Sequence, residues 1–115
     1  MGSLVSPLTR LLGVVLVAAG LLGFFMASPL FGIFEVDTLH NIVHLASGAV
    51  ALVLGGNQAM SRMLLVVFGV GYAAIAIAGY MQGGVFGLFA VNAADNVLHA
   101  AIGAACLVVG FGSKS

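Results

Sequence analysis

Residues 31–55 recur at 86–110 without a gap, FGIFEVDTLHNIVHLASGAVALVLG over FGLFAVNAADNVLHAAIGAACLVVG, with 12 of 25 positions identical. Such self-similarity restricts the fold to two copies of one supersecondary unit. Asn41 over Asn96, His44 over His99 and Gly48 over Gly103 are among the retained residues. Around them the chain is 63% hydrophobic and 5% charged, with a mean hydropathy of +1.28. Three basic and three acidic side chains in 115 residues could not clothe a soluble domain, which places the chain in the membrane class. A polar residue inside a membrane helix is costly and needs a reason, so the repeat also marks the residues to ask about.

Four apolar stretches are long enough to cross a bilayer: Leu8 to Met26, Thr38 to Leu54, Met63 to Met81 and Ala93 to Phe111. About 20 helical residues cross a ~30 Å hydrocarbon core, and the second stretch is the shortest of the four. Arg10 before an apolar run and the small pair Ala27-Ser28 give the first stretch the look of a signal peptide. Its match to the third argues for a retained helix: Gly13-Val14, Ala18 and Gly23 lie over Gly69-Val70, Ala74 and Gly79 at a shift of 56. The expected fold is all-α, a transmembrane four-helix bundle in one domain, 1–115. It consists of two tandem helical hairpins, about 8–56 and 63–111, related by a pseudo-twofold axis along the membrane normal.

Charge sorts by side. Arg10, Arg62 and Lys114 fall at one end of the spans, and Glu35, Asp37 and Asp95 at the other. The positive-inside rule then makes both termini cytoplasmic and the two aromatic connections, 31–36 and 86–91, external. Those connections carry Pro29, Gly83 and Gly84 beside Phe residues and suit the headgroup interface, while Gly55-Gly56-Asn57-Gln58 forms a short inner turn with Gly at the helix C-cap. One cysteine, Cys106, rules out an intramolecular disulfide and any CxxC motif. Zero net charge leaves no footprint for nucleic acid.

At about 100° per residue, Asp37, His40, Asn41, His44 and Gly48 share one face of the second span. Asn92, Asp95, Asn96, His99 and Gly103 form the same stripe on the fourth. Exposed to lipid, such stripes would be expensive, so both are expected to face the interior. There the small residues admit close backbones and the polar ones link helices. Val50 and Val109 are expected on the lipid face, and Tyr80 and Gln82 at the depth of the polar cluster. The informative break in the repeat is His40, whose partner position holds Asp95, a base opposite an acid if the stripes face each other.

Two readings of the cluster follow. One is a hydrogen-bonded network that fixes helix register. The other makes His44 and His99 metal or tetrapyrrole cofactor ligands, in the second case for the iron of a b-type haem or the magnesium of a chlorophyll-type pigment, with Gly48 and Gly103 clearing room for the macrocycle. A hydrolytic triad of Asp37, His44 and Ser47 fails because all three lie on one helix and cannot converge on a carbonyl.

With LxNxxHLxxGxxAL from Leu39 to Leu52, NAADNxLHxxxGxxxL from Asn92 to Leu107 and GVVxxxxGxxGF from Gly13 to Phe24, the sequence resembles a family of small bacterial four-helix membrane proteins of unknown function. In that family an NxxH motif in the second helix and a DxxxH motif in the fourth recur in this order. The resemblance implies a four-span protein and lends no activity. The residues themselves suggest a non-enzymatic accessory or structural subunit, and the resemblance implies a bacterial inner membrane. Its expected partners are lipids and other membrane subunits or copies of itself.

Topology follows from the charge sorting. Reporters fused at the N-terminus, near Asn57 and at the C-terminus should read cytoplasmic, and one inserted near Gly84 should read external. An external signal at Asn57 would refute the assignment.

Overall fold

The computed structural model describes residues 4–28, 30–34, 36–82, 84, 85, 87 and 89–113. Pro29, Glu35, Gly83, Phe86 and Lys114, which entered the reading of the loops and the charge sorting, lie outside the described residues. Four helices run up and down: α1 (Val5–Phe25), α2 (Thr38–Leu54), α3 (Gln58–Gln82) and α4 (Ala93–Gly112). Between α3 and α4 lies a hairpin of two short antiparallel strands, β1 (Gly84–Val85) and β2 (Phe89–Ala90). α1, α3 and α4 have the length and apolarity of membrane spans, and α2, with 17 residues, is a shorter apolar helix at the lower end of what crosses. The long axis of 41 Å approaches the ~40–45 Å of a bilayer with its headgroups.

Each helix buries one stripe. On α1 it is Val5, Thr9, Leu12, Gly13, Leu16 and Gly20, the three-to-four spacing of a single helix face. Pro7 is accommodated in the first turn, where its missing N–H is not needed. The opposite faces expose Leu11, Val14, Val53, Val67, Ile77 and Val108, a continuous apolar exterior that suits lipid and not water. Val50 shares that exterior. Val109 does not: it packs partly buried against the core beside Leu64 and Leu65, because it lies near the Gly110 edge of the stripe.

The helices form two pairs, α1 with α2 and α3 with α4, and the pairs meet chiefly through α1 and α3. Glycines set the spacing within each pair. A Cβ on Gly48 would stand 2.7 Å from Val17 N and 2.8 Å from Gly13 O, and a Cβ on Gly103 would stand 2.9 Å from Ala73 N and 3.1 Å from Gly69 O. Gly48 and Gly103 therefore seat their own hairpin partners. The two stripes do not meet through these glycines, and no Cα of α2 lies within 8 Å of one of α4 among the described residues.

Repeat equivalence extends to both ends of the pairs. The Ser6 hydroxyl donates to the Gly55 carbonyl, and at the matching place Arg62 Nη1 donates to Gly110 O at 2.6 Å. Gly55 caps α2 with an ordinary helical φ of −61°, so its lack of a side chain serves the Arg10 stem packed on it and not a left-handed turn. At the other end, Leu30 and Phe34 exchange backbone bonds of 2.6 and 3.1 Å, and their counterparts Val85 and Phe89 pair in the β-hairpin. Gly32 and Gly87 both take φ +70° at the tip, a conformation that favours glycine. The sequence showed these connections as irregular apolar loops; the turn glycines close them into small hairpins.

Since a branched side chain at either interhelical glycine must push two backbones apart, Gly48→Ile and Gly103→Ile should each destabilise the protein by about 1–3 kcal/mol or more. Val50→Ile and Val108→Ile on the exterior should leave thermal stability in detergent unchanged. Equal tolerance at both kinds of site would contradict the pairing.

Candidate metal centre

The polar stripe is sorted by depth. Outermost, Asp37 is the N-cap of α2 and accepts from His40 N at 2.9 Å. Asn92 is the N-cap of α4, with a reciprocal capping box: Asn92 Oδ1 accepts from Asp95 N at 2.9 Å, and Asp95 Oδ2 accepts from Asn92 N at 3.0 Å. Asn92 Nδ2 also donates to Ile33 O at 2.8 Å, tying α4 to the outer connection of the first hairpin. These three residues satisfy first-turn N–H groups that the helix itself leaves unpaired.

One turn deeper, the amides face glycine. A Cβ on Gly23 would overlap the Asn41 side-chain oxygen, and a Cβ on Gly79 would overlap that of Asn96. Both oxygens are buried without a hydrogen-bond partner, so each rests on the Cα hydrogens of its glycine, a weak contact that recurs at helix interfaces. The arrangement is the same in both repeats.

The histidines of the two hairpins meet, His44 and His99 about one turn deeper than the amides and His40 level with Asn41. His40 and His44 stand one turn apart on α2, with ring centroids 4.4 Å apart. The His99 ring of α4 lies 5.5 Å from His40 and 6.2 Å from His44. All three are buried, at 1%, 7% and 2% exposure for His40, His44 and His99. One nitrogen of each ring falls within 4.8 Å of the others. Nδ1 of His44 and Nδ1 of His99 have no hydrogen-bond partner, and leaving such a group buried costs about 1–3 kcal/mol. From α3, the buried Tyr72 ring packs 5.5 Å from His99. Asp95, 2% exposed, lines with His44 and His99 an apolar cavity that reaches α1.

His44 and His99, the pair the repeat singles out, thus come together, and His40 joins them. Its spacing of i, i+4 to His44 was a legible sign of a shared face, masked because the repeat does not keep it as histidine and puts Asp95 at the matching position. Tyr72 carried no motif; its only signal was a hydroxylated ring on the buried stripe of α3. Tyr80 and Gln82 are exposed and do not reach the cluster, because they occupy other faces of α3 than Tyr72, Ala76 and Gly79.

The caps differ in what they hold. Asp37→Ala removes one N–H acceptor and should destabilise the protein by about 1 kcal/mol. Asn92→Ala removes the capping box and the Ile33 tether together, and should cost clearly more. Denaturant unfolding in detergent compares them; an equal loss would show that the tether carries no energy.

A model of the family described as "Domain of unknown function (DUF4383)" matches residues 7–112. No curated protein and no solved structure matches the chain. Since that match takes in all four helices and the whole histidine cluster, the chain belongs to the DUF4383 family.

Proposed function

We propose that the chain is a membrane-embedded metal-binding protein that holds one transition-metal ion between His40, His44 and His99. The observation that carries this reading is the convergence of three buried imidazoles from both repeats, two of them with an unpartnered ring nitrogen. Imidazole suits zinc, copper, nickel and iron. Metal–nitrogen bonds of about 2.0–2.1 Å in a tetrahedral site require ligand nitrogens about 3.3 Å apart, so the 4.8 Å cluster would have to contract to hold an ion. Three protein ligands leave one coordination position open. Asp95, buried beside His44 and His99, supplies negative charge to offset a cation in this apolar setting.

A bare ion fits better than a tetrapyrrole. Bis-axial ligation sets two imidazoles on opposite faces of a flat ring, whereas His40 packs against both His44 and His99. The space beside Gly48 and Gly103 is filled by α1 and α3 backbone. An accessory role within a bacterial inner-membrane assembly, with cytoplasmic termini and the NxxH and DxxxH motifs as its family marks, is compatible with metal binding. The apolar exterior suits lipid and neighbouring subunits alike.

Cobalt(II) titration of chelator-treated protein in detergent tests the reading. One ion per chain should bind, with visible d–d absorption, and a hundredfold excess over Kd should stabilise the fold by about 2.7 kcal/mol. His40→Gln, His44→Gln and His99→Gln should each abolish the absorption while circular dichroism stays helical. Binding that survives all three substitutions would overturn the proposal, and a Soret band in the purified protein would favour the tetrapyrrole.

A further inference from the structure

The cavity above His44 and His99 has features that ion binding does not use. It lies between α1 and α4, which barely touch, and has a volume of about 330 Å³. Its sides include Ala19, Leu22 and Leu98, and the outer turn of the first repeat closes it with Phe31 and Phe34. Val15, Leu22 and Leu98 are 48%, 38% and 39% exposed on the lipid-facing exterior, so the cavity opens sideways into the hydrocarbon. At its inner end stand the two imidazoles whose Nδ1 atoms have no hydrogen-bond partner, on side chains 7% and 2% exposed.

An apolar passage from the bilayer to a small hydrogen-bonding end selects a lipid by its head. Arg10 and Arg62 belong to the opposite end of the bundle, at Gly55 and Gly110, and the Asp95 carboxylate lines the cavity. An anionic head therefore meets no arginine or lysine in the cavity lining. A zwitterionic phosphate head would lose its hydration against apolar walls. A neutral ring bearing oxygens loses little, and the Phe31 and Phe34 rings offer it stacking partners. A neutral imidazole presents one donor and one acceptor nitrogen, so the site satisfies a ring carbonyl in one tautomer and a ring hydroxyl in the other.

We propose that this cavity binds the head ring of an isoprenoid quinone or quinol, with the tail leaving between α1 and α4 into the membrane. The volume lies near the lower end of the ~300–1,000 Å³ of ligand sites, enough for the ring and the start of a chain. The proposal goes beyond the metal reading and does not need the ion. The ring oxygen meets the imidazoles directly or, with an ion bound, the coordination position that they leave open.

Equilibrium binding of a ubiquinone analogue with a decyl tail, measured on chelator-treated protein in detergent against empty micelles, tests it. One ligand per chain is expected to bind saturably. Ala19→Phe, which fills the cavity, should weaken binding by about tenfold or more, as should His44→Leu. Val108→Phe on the far exterior should not change it. Palmitate and dioleoylphosphatidylcholine at equal concentration should not displace the quinone. Should Ala19→Phe lose its helical circular dichroism, Ala19→Leu replaces it. Absent saturation, wild-type affinity in the folded cavity variant, or displacement by either acyl lipid would overturn the proposal. Because the protein is metal-free throughout, these outcomes are independent of the cobalt titration.

Discussion

Close backbone approach at Gly13–Gly48 and Gly69–Gly103 is the constraint on which the other features rest. In a bilayer, lipid tails are as apolar as leucine, so helices associate through packing and polar links and not through expulsion from water. The glycine contacts make each hairpin a tight unit, held at its inner end by Ser6 on the Gly55 carbonyl and by Arg62 on that of Gly110. What remains between the hairpins is wider, and no α2 Cα comes within 8 Å of α4. Imidazoles are long enough to meet across that gap. The histidine cluster is thus positioned by glycine contacts on the same stripes of α2 and α4, one turn along from His44 and His99.

Depth separates the tasks of the polar residues. At the outer surface Asp37, Asn92 and Asp95 spend their oxygens on helix N-termini, where the unsatisfied N–H groups and the helix dipole both favour them. Asn41 and Asn96 cover glycines one turn in. His44 and His99, about a further turn down, each keep an Nδ1 without a hydrogen-bond partner. A single stripe that looks uniform in the sequence therefore combines capping, packing and a cluster of buried imidazoles.

The helices were legible because three-to-four spacing and apolar length leave few alternatives: Thr38 to Leu54 is identical in the two readings, and α1, α3 and α4 differ only at their ends. Interior placement of the stripes was legible for the same reason, since lipid would penalise the opposite placement. Which helix each glycine seats was not. Gly48 faces α1 and not α4, a matter of interhelical rotation that periodicity within one helix does not contain. Nor could the outer connections be read as hairpins, because Leu30 to Phe34 and Val85 to Phe89 lack strand alternation and are closed by turn residues at positive φ, Phe31 and Gly32 in the first and Gly87 in the second. His40 was visible as an exception but not as a third member of the cluster, since its distance to His99 depends on how the two hairpins dock.

The mismatch of His40 with Asp95 has a consequence in counting. Two identical hairpins around a twofold axis can offer donors to a point on that axis only in even numbers, two or four, never three. Joining the hairpins in one chain frees position 40 from position 95, and an odd number of imidazoles becomes attainable. The lost symmetry also makes the two sides of the seam chemically distinct, with an imidazole on one flank where the other carries a carboxyl.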